Sequence, residues 1–147
     1  MSIRDLRGLL LELYPPDLRH AGLRAAVADV ASGVEARGVE TVVTVPQDID
    51  LPEQTEALLF RATQESLRNV VAHANASRVE VRIERRDGTA TLEVADDGRG
   101  FSPAEAGTNG HFGLRTLADL ARDAGGTLDL DSEPGSGARV RLVVPVR

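Results

Sequence analysis

The 147-residue chain has no cysteine and no tryptophan, and Phe, Trp and Tyr together make up only 3% of it. Without thiols it can form no disulfide, no thiolate nucleophile and no thiolate metal site, which fits a reducing cytosol. So few aromatics make base-stacking platforms for single-stranded nucleic acid improbable and leave Leu, Val, Ile and Ala to build the core. Positive charge is also short: 17 Lys and Arg against 23 Asp and Glu leave a net charge of -6. That balance argues against a nucleic-acid partner held by phosphate neutralisation, while a local basic patch could still hold a few phosphates. No apolar run approaches the roughly 20 residues needed to cross a bilayer, and no signal peptide precedes the first charged residues. The expectation is a soluble, cytoplasmic domain.

What is present is an ordinary globular composition, 41% hydrophobic, in a length that suits one domain. Ile3, Leu6, Leu9, Leu10 and Leu13 recur at helical spacing until Pro15-Pro16 stops them, which predicts a short helical stub. A second amphipathic pattern, Leu23, Ala26, Val27, Val30 and Val34, starts after Gly22 and ends at Gly38. Thr41 to Val45 has the β-branched content of a strand, Pro46 to Pro52 reads as a loop, and Glu53 to Ala74 is the longest helix. Val79, Val81 and Ile83 alternate with Arg78, Glu80 and Arg82, the period of a half-buried strand over Arg78 to Glu84. Asp87-Gly88 then turns the chain into a partner strand, Thr89 to Ala95. Ser102 to Gly110 has the composition of a mobile segment, and Gly113 to Ala124 returns to helix with Leu114, Leu117, Leu120 and Ala121 as its apolar stripe. Gly125-Gly126 ends that helix, and Thr127 to Asp131 and Ala138 to Val144 flank a second turn at Pro134 to Gly137. The order predicts an α+β fold in two layers: one mixed, mainly antiparallel sheet with helices on one face.

Two clusters carry chemistry. Glu65 and Asn69 are four residues apart, so a helix puts carboxylate and carboxamide on one face, where both can reach a hydrated Mg²⁺. An isolated pair of this kind is ordinarily a solvated surface. The second cluster, Asp96-Asp97-Gly98-Arg99-Gly100, delivers an acid at a strand end with glycines directly after it, so that a flat ligand can approach the backbone. Alone it could be a tight turn. Together the two read as a nucleotide site. His73 has a surface reading as well as a site reading, and His111 could cap the helix that follows or touch phosphate.

With these residues in place the chain resembles the ATP-binding catalytic domain of bacterial sensor histidine kinases, of the GHKL superfamily and Bergerat fold, and more narrowly the nitrate-sensor-like subfamily. Glu65, Asn69 and His73-Ala74 match its asparagine box. Asp96, Gly98 and Gly100 match the first glycine box, Gly110-His111-Phe112-Gly113-Leu114 the second, and Gly125-Gly126 with Gly135 to Gly137 the closing segment. The stretch Leu13 to Leu18 resembles the junction with the dimerisation helices, so residues 1–14 would be the tail of such a helix and 15–147 the catalytic domain. The resemblance implies that Asp96 accepts a hydrogen bond from the adenine exocyclic amine, selecting adenine over guanine. It implies that Asn69 coordinates Mg²⁺, and that Glu65 holds a metal-bound water or orients the phosphate acceptor. Gly98, Gly100, Gly110 and Gly113 would let a lid hinge and bring N–H groups to the phosphates, and the helix from Gly113, with Leu114, would point its N-terminus at them. His73 would sit near phosphates or ribose.

The implied reaction moves the ATP γ-phosphoryl group to a histidine on a dimerisation domain, from which a response regulator is served. None of the chain's three histidines, His20, His73 and His111, lies in a long helix with an acidic neighbour, as the family's phospho-acceptor does. The expectation is therefore a monomeric fragment of a longer, membrane-anchored receptor, able to bind nucleotide but not to phosphorylate itself. Two positions depart from the family: Ala72 stands where a phosphate-reaching Lys or Arg is frequent, and Ala138 where Thr is common. These keep open a degenerate regulatory module, beside a serine kinase of the anti-sigma-factor type.

Overall fold

The computed structural model describes residues 16–99, 112–132 and 135–146. The stub and domain boundary assigned near residue 14, the segment Ser102 to Gly110, and Gly100, Gly110 and His111 lie outside the described residues. The elements are α1 (Pro16–Glu35), β1 (Glu40–Thr44), α2 (Glu53–Asn69), β2 (Arg78–Arg86), β3 (Thr89–Asp96), α3 (Phe112–Asp123), β4 (Thr127–Ser132) and β5 (Ala138–Pro145). They form a five-stranded sheet in the order β1-β2-β3-β5-β4. β1 runs parallel to β2, and every other pairing is antiparallel.

The period-2 pattern builds the core directly. Val81 stands opposite Val94 and Val94 opposite Val140; one rung on, Ile83, Leu92 and Leu142 line up across the same three strands. All six are buried. Leu59 and Leu67 of α2, Val27 of α1 and Leu117 and Ala121 of α3 close over that face and are themselves 0–2% exposed. Burial of each large aliphatic side chain stabilises the fold by roughly 1.5–3 kcal/mol before entropy is charged against it. On the other face Arg82, Glu93, Arg141 and Asp129 follow one another in register, alternating in sign from strand to strand. Opposite charges as cross-strand neighbours suit a solvated face. The two-layer arrangement expected from the sequence is therefore present, with the helices on one side.

Helix ends follow the glycines. The Gly126 N–H donates to the Ala121 carbonyl at 2.7 Å and the Gly125 N–H to the Arg122 carbonyl at 3.0 Å, with Gly125 at φ 84°, a Schellman closure. Two elements differ from expectation. Helical backbone already begins at Pro16, where a proline without an N–H is tolerated at the first position, and Gly22 (φ 84°, ψ 169°) kinks it before the buried run Leu23, Ala26 and Val27. More consequentially, the long helix is not α-helical to its end. After Asn69 the chain passes into a π-helical turn, Val70–Ala74, which Asn75 terminates in the left-handed region at φ 50°. A π-turn inserts extra backbone into a helix and is concentrated at functional sites; apolar periodicity carries no signal for it.

Candidate functional site

Asn69 is the last α-helical residue of α2, immediately before the π-turn. Both ends of its carboxamide, Oδ1 and Nδ2, are buried and without a hydrogen-bond partner, and the buried Ser66 Oγ three residues earlier is in the same state. A buried unpaired polar group costs about 1–3 kcal/mol. Three such atoms on two residues of one helix face, Ser66 and Asn69, are what a site that takes up a polar ligand would present.

Glu65 lies on the preceding turn with its side chain only 14% exposed. Both its oxygens are engaged by the Arg68 guanidinium: Nε donates to Oε2 at 3.2 Å and a terminal nitrogen to Oε1. The partnership holds Arg68 even more firmly protonated than usual. Gly113, in the first turn of α3, abuts this carboxylate so closely that a Cβ there would stand 2.0 Å from Oε1 and 2.1 Å from Cδ. Gly113 thus makes room for Glu65, and the carboxylate sits at the end of α3 where the helix dipole is positive. Leu114 is buried in the core, so its part is to seat α3.

At the other end of the site two adjacent aspartates have separate roles. Asp97 accepts from the Ser77 N–H at 2.9 Å, the Ser77 hydroxyl at 2.6 Å and the Arg78 N–H at 2.9 Å. These bonds, the Ser77 hydroxyl foremost, hold its carboxyl below the ordinary value. Asp97 therefore ties the exit of the π-turn to the end of β3, linking the segment that carries Asn69 to the strand that carries Asp96. Asp96 is half-buried and points to the helix side, on the same face as Val94; its Oδ1 accepts from the Gly98 N–H at 2.8 Å. Burial pushes its carboxyl above the ordinary value, against the pull of the Gly98 and Ala138 N–H groups, with the Asp97 charge adding to the rise.

The turn between β4 and β5 braces this end. Gly137, at φ 79°, approaches so closely that a Cβ would lie 2.1 Å from the Asp96 carbonyl oxygen, and the Gly135 N–H donates to the Arg99 carbonyl. A cavity of about 310 Å³ opens here, lined by Ala95, Asp96, Ser132, Gly137, Ala138 and neighbouring residues. Its lining comes from the strands and turn and not from α2, so Glu65 and Asn69 lie outside it.

The structure therefore brings Glu65 to Gly113 and places Asn69 one turn beyond, with Asp96 and Gly98 at the end of β3. The side chain of His73 lies outside the described residues, as do Gly100, Gly110 and His111. Sequence reasoning missed Ser66, Arg68 and Ser77. It had Asp97 within the second cluster and Gly137 within the closing segment, without the contacts each makes.

The sequence profile of the family described as "Histidine kinase-, DNA gyrase B-, and HSP90-like ATPase" matches residues 54–147, from the start of α2 through β5. The chain belongs to this ATPase family. Its relatives within the family include the sensor protein VraS of Staphylococcus aureus, 31% identical over 142 residues that cover 97% of this chain and 41% of that protein. VraS of Staphylococcus epidermidis is 30% identical over the same length. Among solved structures, the blue-light activated histidine kinase of Erythrobacter litoralis EL346 superposes with a TM-score of 0.72 at 24% identity, covering 97% of this chain and 48% of that one. The shared fold is that of a histidine-kinase ATP-binding domain, and the chain spans about two-fifths of the length of the curated relatives it matches. Asn69 and Asp96 both fall within the span that the ATPase profile matches.

Proposed function

We propose that the chain binds ATP together with Mg²⁺, and that within a longer protein it serves transfer of the γ-phosphoryl group to a histidine of a dimerisation domain, for relay to a response regulator. The observation that carries this reading is the Asn69 carboxamide, buried and unpartnered at both ends in an ATPase-family domain. A hard oxygen donor left without a partner fits a divalent cation. Among the described residues no three His, Cys, Asp or Glu side chains converge into a metal site. That matches Mg²⁺, which keeps several waters and phosphate oxygens and needs few protein ligands.

Asn69 Oδ1 would ligate the ion, and Glu65, released from Arg68, would hold one of its waters. When bound, Mg²⁺ supplies charge neutralisation for the polyphosphate. The protein's own work is positioning. The Asp96 carboxylate would accept from the adenine amine, Gly98 would let the base approach backbone, and the N-terminus of α3 would receive negative charge from phosphate. Sensor-type relatives support a signalling role, and no described helix is long and apolar enough to cross a membrane.

Calorimetric titration with a non-hydrolysable ATP analogue, with and without Mg²⁺, tests the reading. Binding that Mg²⁺ strengthens is the expected result. Absence of binding would instead favour a regulatory module that has lost its nucleotide.

A further inference from the structure

We propose that Ser66 is the positioning residue for Asn69: its buried hydroxyl accepts a hydrogen from the Asn69 carboxamide nitrogen and so fixes which end of that amide is presented to the cation. The inference rests on the metal reading given under Proposed function.

Ser66 is 3% exposed, and its Oγ, like both polar atoms of the Asn69 amide, has no hydrogen-bond partner. The two residues are three apart in α2, so their Cβ atoms lie about 5–6 Å from each other on one face. A short rotation of the Asn69 side chain then brings Nδ2 within reach of Oγ. The hydroxyl has a route for its own proton as well. Thr63, one turn earlier, shows it by donating to the Leu59 carbonyl at 2.8 Å, and Ser66 can donate likewise to the carbonyl of Ala62. With that bond made, Oγ keeps a lone pair for Nδ2–H, and Oδ1 is left facing outward as the ligand. That arrangement satisfies two of the three buried atoms, Oγ and Nδ2, and leaves Oδ1 to the cation. A carboxamide ligand needs such a partner because its oxygen and nitrogen are almost the same shape, and the wrong end would turn an N–H toward the cation.

The test is Ser66→Ala in the whole chain, read by calorimetric titration of the ATP analogue across a Mg²⁺ series and by thermal melting. The Mg²⁺ concentration for half-maximal enhancement should rise about tenfold, affinity without Mg²⁺ should stay within twofold of wild type, and the melting temperature without nucleotide and Mg²⁺ should hold or rise, because before the cation binds the substitution deletes a buried unpaired hydroxyl. Ser66→Thr, which keeps the hydroxyl, should restore the Mg²⁺ response. An unchanged Mg²⁺ requirement in Ser66→Ala, beside a Mg²⁺-responsive wild type, overturns this proposal alone. A wild type that binds without any response to Mg²⁺ overturns the metal reading and this proposal together.

Discussion

Asp96→Asn separates binding from folding in a single substitution. The asparagine keeps an oxygen in the position of Oδ1, whose two lone pairs can serve both N–H donors, Gly98 and Ala138. What changes is the second oxygen, which becomes an NH₂ group. For folding the sign is favourable. The Asp96 pKa is raised in the folded chain, chiefly by burial, so the charged form is less welcome there than in the unfolded chain. The penalty is absent below the unfolded value, grows as the pH rises from there through the folded one, and is complete above it; the variant is relieved of it. The variant should therefore melt no lower than wild type at pH 7. For binding the sign is opposite. A hydrogen bond to a charged acceptor, worth about 1.5–3 kcal/mol, is lost, and two donors now face each other at about 1–3 kcal/mol more. The combined loss of roughly 3 kcal/mol or more is a hundredfold or greater fall in affinity for the ATP analogue. The new NH₂ group can donate to a guanine carbonyl, so the preference for adenine over guanine nucleotides should narrow as well. Calorimetry with both nucleotides, paired with a melting curve, reads all of this. A variant that binds the adenine nucleotide within a few-fold of wild type, or that melts several degrees lower, would refute the assignment.

Asp97→Asn should do the reverse: nucleotide affinity holds while the melting temperature at neutral pH falls, because the charge accepting from Ser77 and Arg78 is gone. The folded pKa of Asp97 is depressed, so its contribution is present above the ordinary value of 3.8 and lost as pH falls through the lower folded value; wild-type and variant melting curves should converge in that acid range. Gly137→Ala meets both a left-handed φ of 79° and the Asp96 carbonyl at 2.1 Å, which together should cost about 3 kcal/mol, or roughly 6–12 °C in melting temperature. Gly113→Ala drives a Cβ into the Glu65 carboxylate, a flexible group that can swing away, so stability should stay within about 1 kcal/mol while the Mg²⁺-dependent gain in nucleotide affinity shrinks; an unchanged gain would detach Glu65 from the metal.

The sheet was legible because its signal is local. Val79, Val81 and Ile83 announce their face by alternation alone, and Gly125-Gly126 announces a helix end by the absence of a Cβ. The pairing of Glu65 with Asn69 was legible for the same reason, since helical periodicity fixes it. The rest depends on contacts between residues far apart in the chain. Nothing within α3 says that Gly113 is there to admit the carboxylate of Glu65, and nothing in the final turn says that Gly137 must approach Asp96. The π-turn after Asn69 was hidden too, because its backbone step leaves the apolar pattern of the preceding helix intact.

The two aspartates show why geometry was needed to finish the assignment. Side by side in sequence, Asp96 and Asp97 offer the same carboxylate. In the fold one accepts from three donors that fasten the segment carrying Asn69 to β3, and the other, which accepts from the Gly98 N–H, stands at a half-buried position on the helix side of the sheet. An exposed carboxylate that already holds Ser77 and Arg78 is engaged in the chain's own structure; one pushed toward its neutral form by burial is stabilised as an anion by any ligand that donates to it. The proposed role of Asp96 toward adenine thus rests on its half-buried position at the end of β3, as the proposed roles of Asn69 and Ser66 rest on their buried, unpaired polar atoms.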